Sequence, residues 1–380
     1  MSQLSFVEKL LDGAEVEWKA LGDVLVRTKG TKITANQMKE LHKDGAPLKI
    51  FAGGKTIAFV DFEDIPEKDI NREPSIIVKS RGVIEFEYYE DPFSHKNEMW
   101  AYHSKNESIN IKFVYYLLKR QELYFQNLGS RMQMPQIATP DTDKFQIPIP
   151  PPAVQAEIVR ILDAFMGLTA VLTTELTARQ KQYTYYRDQL LTFAEGQAEW
   201  KTLGDVFHMR AGQHISANKI MQESSADYAY PCFGGNGIRG FVNKNSHDGS
   251  HLLIGRQGAL CGNVQRMHGK FYATEHAVVV TARDTVNIDW AFHMLTLMNL
   301  NQYASKSAQP GLAVGKLESL RIPIPSLAEQ ARIVAILDKF DTLTNSISHG
   351  LPREIALRQQ QYEYYREQLL TFPQHNRLEK

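Results

Sequence analysis

Basic and amide side chains stand beside glycine at several places in this chain, and these are the residue types that can read a nucleic acid. Lys55 follows Gly53 and Gly54, and Lys79 and Arg81 precede Gly82. Asn236 and Arg239 lie within Gly235-Asn236-Gly237-Ile238-Arg239-Gly240, and Arg256 and Gln257 precede Gly258. Arg131 with Gln133, and Gln309, mark a further pair of loops. Arginine and lysine can contact guanine, asparagine and glutamine can contact adenine, and all four can hold phosphates. Glycine beside them allows a tight turn and a close backbone approach to a ligand. The competing reading is a set of solvated turns. Recurrence of the loops at equivalent places in two halves of the chain favours binding.

Catalytic chemistry is sought in the same way and not found. The Gly235 to Gly240 phrase fits Gly-x-Gly-x-x-Gly, but no strand-helix-strand unit surrounds it, so it reads as a turn and not as a dinucleotide site. No Gly-x-x-x-x-Gly-Lys-Ser/Thr, His-Glu-x-x-His or Gly-x-Ser-x-Gly occurs. Glu275 beside His276 is the only adjacent Glu-His pair, and it reads as a local hydrogen bond before it reads as an acid-base couple. Asp91-Pro92-Phe93 is similar to the Asn/Asp-Pro-Pro-aromatic loop of adenine methyltransferases, but the second proline is missing and no cofactor region precedes it. Cys232 and Cys261, the only cysteines, lack metal-ligand spacing. No catalytic residue, metal site or cofactor is expected in the chain.

The elements that must carry these loops are duplicated. Glu17-Trp18-Lys19-Ala20-Leu21-Gly22-Asp23-Val24 returns as Glu199-Trp200-Lys201-Thr202-Leu203-Gly204-Asp205-Val206. The segment from Phe51 to Val60 lies over Phe233 to Val242 without a gap, and Ile76 to Gly82 over Leu252 to Gly258. Ile147-Pro148-Ile149-Pro150 answers Ile322-Pro323-Ile324-Pro325, and both copies end Gln-Leu-Leu-Thr-Phe. Such a repeat outranks any local reading. Strands are predicted at Ser75 to Val78 and Ala277 to Thr281, and helices at Ile111 to Asn127 and Ile288 to Tyr303.

After each Ile-Pro-Ile-Pro phrase the period changes. Val154, Ile158, Ile161, Phe165, Leu168 and Leu172 follow steps of four and three, the pattern of a coiled-coil seam. The tetrads that begin at Leu168, Leu172 and Leu176 add a stutter. A helix from Ala153 to Phe193 would be about 60 Å long. His349-Gly350-Leu351-Pro352 stops and restarts the second copy, which is therefore expected as two helices. The fold class is α+β: two related mixed α/β domains and two long antiparallel coiled-coil regions about a pseudo-twofold axis. The expected divisions are residues 1–146, 147–196, 197–321 and 322–380.

Bulk properties set the frame. With 43% hydrophobic and 23% charged residues, the chain is a folded protein and not a disordered one. Its formal net charge is +0, so any nucleic-acid surface is a local patch. No apolar stretch is long enough for a membrane span and no leader is evident, so a reducing cytoplasm is expected.

The repeated Ile-Pro-Ile-Pro to Ile-Leu-Asp element, the phrase Arg179-Gln-Lys-Gln-Tyr-Thr-Tyr-Tyr-Arg187 and its copy Arg358 to Arg366, the tetrads, and His349 to Ile355 resemble the specificity subunits of type I restriction-modification systems. The tetrads look most like the branch with tetrapeptide repeats in the spacer helix. The likeness covers essentially the whole chain. It implies two target-recognition domains, each reading half of a bipartite asymmetric site in double-stranded DNA, with the helices as ruler and docking surface. It also implies two modification subunits that hold S-adenosylmethionine and methylate adenine, joined by restriction subunits. Tyr185, Arg187, Tyr364 and Arg366 lie on the helices that would bind those partners. A stand-alone modification enzyme and a coiled-coil scaffold that binds only proteins are the alternatives. Incubated alone with DNA and labelled S-adenosylmethionine, the purified chain is expected to transfer no methyl group and to cut no DNA. Label incorporated without a partner would overturn this.

Overall fold

The computed structural model describes residues 5–129, 134–258, 260–306, 310–346 and 348–373. It divides into two compact units, one of Met1–Val171 with Ile355–Lys380 and the other of Leu172–Glu354.

In the first unit, strands Leu25–Arg27, Trp100–Ser104, Ser75–Lys79 and Glu85–Tyr89 form a sheet in that order. A second sheet orders Ile57–Val60, Leu48–Phe51 and Phe93–His95, the last pair parallel. Every residue of Ser75–Lys79 is buried, which is why this run is nearly continuous in apolar residues and does not alternate. Phe113, Val114 and Leu117 of helix Ile111–Arg120 pack with Ile76, Val78 and Phe86 of the larger sheet. Glu17–Ala20 pairs antiparallel with Gln146–Ile149, setting Trp18 opposite Pro148. Proline lacks an N–H, and a two-stranded ribbon, with an open edge on each strand, tolerates it. Both repeated phrases are thus explained together: each is the pairing partner of the other.

The second unit repeats this plan strand for strand. Phe207–Ala211, Ala277–Ala282, Ser250–Gly255 and Val264–His268 form the larger sheet in that order. Gly237–Val242, Tyr230–Gly234 and Tyr272–Ala273 form the smaller one, and Glu199–Thr202 pairs with Arg321–Ile324. Two mixed α/β domains of one topology, as the repeat implied, are present.

The predicted helix Ile111 to Asn127 is two helices, Ile111–Arg120 and Glu122–Gly129. The chain turns at Gln121, and the Glu122 carboxylate accepts from the Phe86 N–H at 2.9 Å. Its counterpart is helical over Ile288–Leu297 and becomes a 3-10 turn at Leu300–Tyr303, because Asn299 adopts a left-handed conformation with φ of 46°.

The central helix runs unbroken over Pro152–Leu190. In the first unit its start lies near the end of helix Leu351–Leu370: Ile147, Pro148, Leu370 and Phe372 line one cavity, so the two run antiparallel. Phe165 stacks on Tyr365 with centroids 5.2 Å apart. In the second unit Tyr186 stacks on Phe340 of helix Leu327–Asn345 at 5.6 Å, and Leu191 shares a core with Ile322 and Ile324. The stop before Leu351 occurs where the sequence places it. Gly350 has φ of 98°, and a Cβ there would lie 2.4 Å from the Thr342 carbonyl oxygen. The seam itself differs from the periodic stripe. Gln155, Ile158 and Leu162 are the buried positions, while Ile161, Phe165 and Leu172 are half-buried and Leu168 is 41% exposed. The domain helix Ile111–Arg120, packed alongside, widens the buried face beyond the stripe that one partner helix would select.

Gln155 is fully buried, and its amide is saturated. Its Oε1 accepts from Asn110 N at 2.8 Å, and its Nε2 donates to the carbonyls of Ser108 and Pro150 at 3.0 and 2.8 Å. Gln330 does the same with Asn287 N, Thr285 O and Pro325 O at 2.7, 3.1 and 2.9 Å. Replacing Gln330 with Leu should leave the Asn287 N–H buried and unpaired and cost about 1–3 kcal/mol. Hydrogen exchange should then speed up over Asn287 and helix Ile288–Leu297 while helix Ile111–Arg120 keeps its protection. Equal loss in both helices would contradict this assignment.

Candidate nucleic-acid interface

The turn Gly235-Asn236-Gly237 joins the first two strands of the smaller sheet in the second unit. It is pressed against the end of Ser250–Gly255: a Cβ on Gly255 would lie 2.0 Å from the Gly235 carbonyl oxygen, so that strand must end in glycine. The loop that follows carries Arg256 and Gln257 and is tied on both sides. Arg256 N donates to His276 O at 2.8 Å, Gly258 N to Pro310 O at 3.0 Å, and Leu312 N to Arg256 O at 2.9 Å. Segments far apart in sequence thereby converge on one open cavity of about 450 Å³, lined by Asn236, Ile238, Arg239, Gln257, His276 and two glycines. Asn236, Arg239 and Gln257 are exposed, and Arg256 beside them is half-buried with a guanidinium contact to the Glu275 carbonyl at 3.4 Å.

Equivalent loops in the first unit are tied by two equivalent backbone bonds and by a side-chain bond in place of the third. Gly82 N donates to Pro135 O at 2.9 Å, Ile137 N to Ser80 O at 3.0 Å, and Ser80 Oγ to Glu98 O at 2.8 Å. Lys55 is exposed in the turn after Gly54, whose φ is 66°, and Arg81 is exposed where its backbone bridges to Gln136. Lys79 is placed differently. Its side chain is buried, with its ammonium 2.7 Å from Glu87 and 3.3 Å from Glu85. Burial opposes its charge, but these carboxylates outweigh burial and hold its pKa above the usual lysine value. Its charge is therefore engaged within the sheet. Arg131, Gln133 and Gln309 lie outside the described residues.

Three residues that loop composition did not select stand at these sites. His276 Nδ1 meets Gln257 Oε1 at 2.7 Å. Glu275 Oε1 meets His214 Nδ1 at 3.0 Å and lies 3.5 Å from His276 Nε2. Glu98 pairs with Lys96 at 2.8 Å. The adjacent Glu-His pair was visible in sequence, but its link to Gln257 depends on strand pairing across the sheet. Among the described residues no cluster of His, Cys, Asp and Glu suits a metal ion, and no helix is long and apolar enough to cross a membrane.

On the helices, Tyr185 and Tyr364 are 62% and 61% exposed. Each lies edge-on to the next tyrosine, and Tyr186 and Tyr365 stack on Phe340 and Phe165. Arg187 lies over Tyr183 and pairs with Asp188, while Arg366 lies over Tyr362 and pairs with Glu367. The two surfaces match residue for residue.

The family model described as "Type I restriction modification DNA specificity domain" matches residues 14–179 and again residues 197–357. The type I restriction enzyme EcoprrI specificity subunit of Escherichia coli is 49% identical, covering 92% of this chain and 93% of its own. The EcoR124I/EcoR124II specificity subunit of the same species is 35% identical, with 98% of each chain covered. A crystal structure of the type I restriction-modification S subunit from M. genitalium superposes with a TM-score of 0.69 at 16% identity, over 96% of this chain and 98% of that one. Replacing Arg239 or Arg256 with Ala should weaken recognition of one half of the DNA site by about 1–3 kcal/mol if the contact is to a base. Changes at Lys55 or Arg81 should act on the other half. Binding to duplexes altered in one half at a time reads this, and an equal loss on all sequences would show phosphate contacts instead.

Proposed function

From the premise that this chain belongs to the family of type I restriction-modification DNA specificity subunits, we propose that its two domains read the two unlike halves of a bipartite DNA site. The supporting observation is the repeated loop set. Matching backbone hydrogen bonds tie the loop that carries Arg81 in the first unit and the loop that carries Gln257 in the second, beside hairpins that carry Lys55 and Asn236. Related scaffolds with different side chains recognise different bases, which would make the target asymmetric. Residues 1–146 and 197–321 are the target-recognition domains in this reading, and the helical regions between and after them set the half-site spacing.

The modification chemistry belongs to partners. Two modification subunits would bind the matched surfaces around Tyr185 and Arg187 and around Tyr364 and Arg366. Aromatic and arginine residues of this kind dominate interface energetics. S-adenosylmethionine would be held by those subunits, which would flip and methylate adenine, since a base within a duplex is out of reach of any transferase. Restriction subunits would complete a complex acting on DNA in the cytoplasm.

Deleting Leu172 to Glu175 removes one tetrad, about 6 Å of helix at 1.5 Å per residue. Methylome sequencing of cells carrying the deleted chain and its modification subunit should show a shorter spacer between unchanged half-sites. Methylation at the original spacing would refute the ruler. Native mass spectrometry should find two modification subunits per chain. Replacing Tyr185 and Arg187 together with Ala should leave an intermediate with one.

A further inference from the structure

Gln257 and His276 form a bonded pair inside the unit 2 cavity, and the pair restricts what Gln257 can read. A free glutamine contacts adenine at two points, its Oε1 accepting from N6 and its Nε2 donating to N7. Here Oε1 is engaged by His276 Nδ1 at 2.7 Å, and because a carbonyl oxygen only accepts, Nδ1 carries the proton. Glu275 lies on the other side of the imidazole. The ring Nε2 lies 3.5 Å from Glu275 Oε1, which also takes His214 Nδ1 at 3.0 Å, and the His276 carbonyl accepts from Arg256 N.

We propose that His276 is a positioning residue that fixes the Gln257 amide with its NH2 group toward DNA, so that this position favours an edge of acceptors alone, guanine or thymine, over adenine, whose N7 the NH2 group can still meet but whose N6 amino group finds no acceptor. The inference rests on the interface reading above. Guanine offers O6 and N7, and thymine O4, as acceptors in the major groove. The first unit has Arg81 and Glu98 at the matched backbone positions, and there the Glu98 carboxylate pairs with Lys96. Arg81 follows Ser80 as Gln257 follows Arg256, and Glu98 takes the place of His276, its carbonyl accepting from Ser80 Oγ. Burial raises the Glu98 carboxyl, but Lys96 and the field of Arg81 prevail and hold it below the usual range.

The test uses the complex of this chain with its modification subunits and a set of duplexes in which each recognised base pair is exchanged in turn. Gln257→Ala should cost roughly 3–10-fold in discrimination at a single base pair, the worth of one hydrogen bond. His276→Ala should alter the same base pair and shift its preference toward adenine, since the released amide can then make both contacts. His276→Asn, whose amide nitrogen can stand where Nδ1 does, should restore the original preference. Substituting 7-deazaguanine at that position separates guanine N7 from other acceptors. Recognition of the second half-site, unchanged in every variant, reports that the complex is folded. If Gln257→Ala removes the preference while His276→Ala keeps it, the positioning role is wrong and the interface stands. If neither variant changes any base, or Gln257→Ala weakens all sequences alike, the base-reading assignment of this cavity fails as well.

Discussion

A buried glutamine side chain holds each domain to its helix. Gln155 and Gln330 each join three backbone segments: the residue that caps a domain helix, the loop before it, and the proline ahead of a long helix. The capping asparagines use their side chains in turn, Asn110 accepting from Lys112 and Phe113 and Asn287 from Asp289 and Trp290. A buried amide of this kind contributes little net energy when satisfied but leaves several costly vacancies when removed. It fixes geometry more than it adds stability. The orientation of every loop relative to its own helical segment descends from it.

Around that fixed point the two units use different electrostatics for one task. Asp163 of the central helix takes Lys112 at 2.8 Å and the Tyr116 hydroxyl, whose pKa is raised by burial and by this carboxylate. Its counterpart Asp338 takes Arg266 at 2.6 Å and the buried His293 at 2.9 Å, with Asp341 and Asp289 also on Arg266. The cation has moved from the domain helix to the neighbouring strand, and an acid stands at the place Lys112 holds in the first unit. Burial lowers the His293 pKa against the pull of Asp338, favouring the neutral ring there. Docking survives because the helix carboxylate is the constant, and any cation placed within reach can satisfy it.

Divergence of the same kind separates the glycine-flanked loops. Gly255 and Lys79 occupy one position in the two sheets, yet glycine there admits the Gly235 turn while lysine is drawn into carboxylates. Composition treats a lysine next to glycine as a free cation. Only the sheet register reveals Glu85 and Glu87 on the adjoining strand, with Lys79 paired opposite Glu85.

By itself the sequence determined the duplication, the long helices, the stop before Leu351 and the membership of a family, because these follow from periods and phrases that survive without a partner in space. It also located Asn236, Arg239 and Gln257, since glycine-rich turns expose what they carry. It did not show that Trp18 and Trp200 pair across from Pro148 and Pro323, that Gln155 and Gln330 are the clasps, or that His276 holds Gln257. Each of these joins residues tens to more than a hundred positions apart, and a polar side chain reads alike in sequence whether solvated or saturated in a core. Tertiary structure decided them: burial removes water and drives the two glutamine amides to find partners within the protein, and only strand register brings the tryptophans to their prolines and His276 to Gln257.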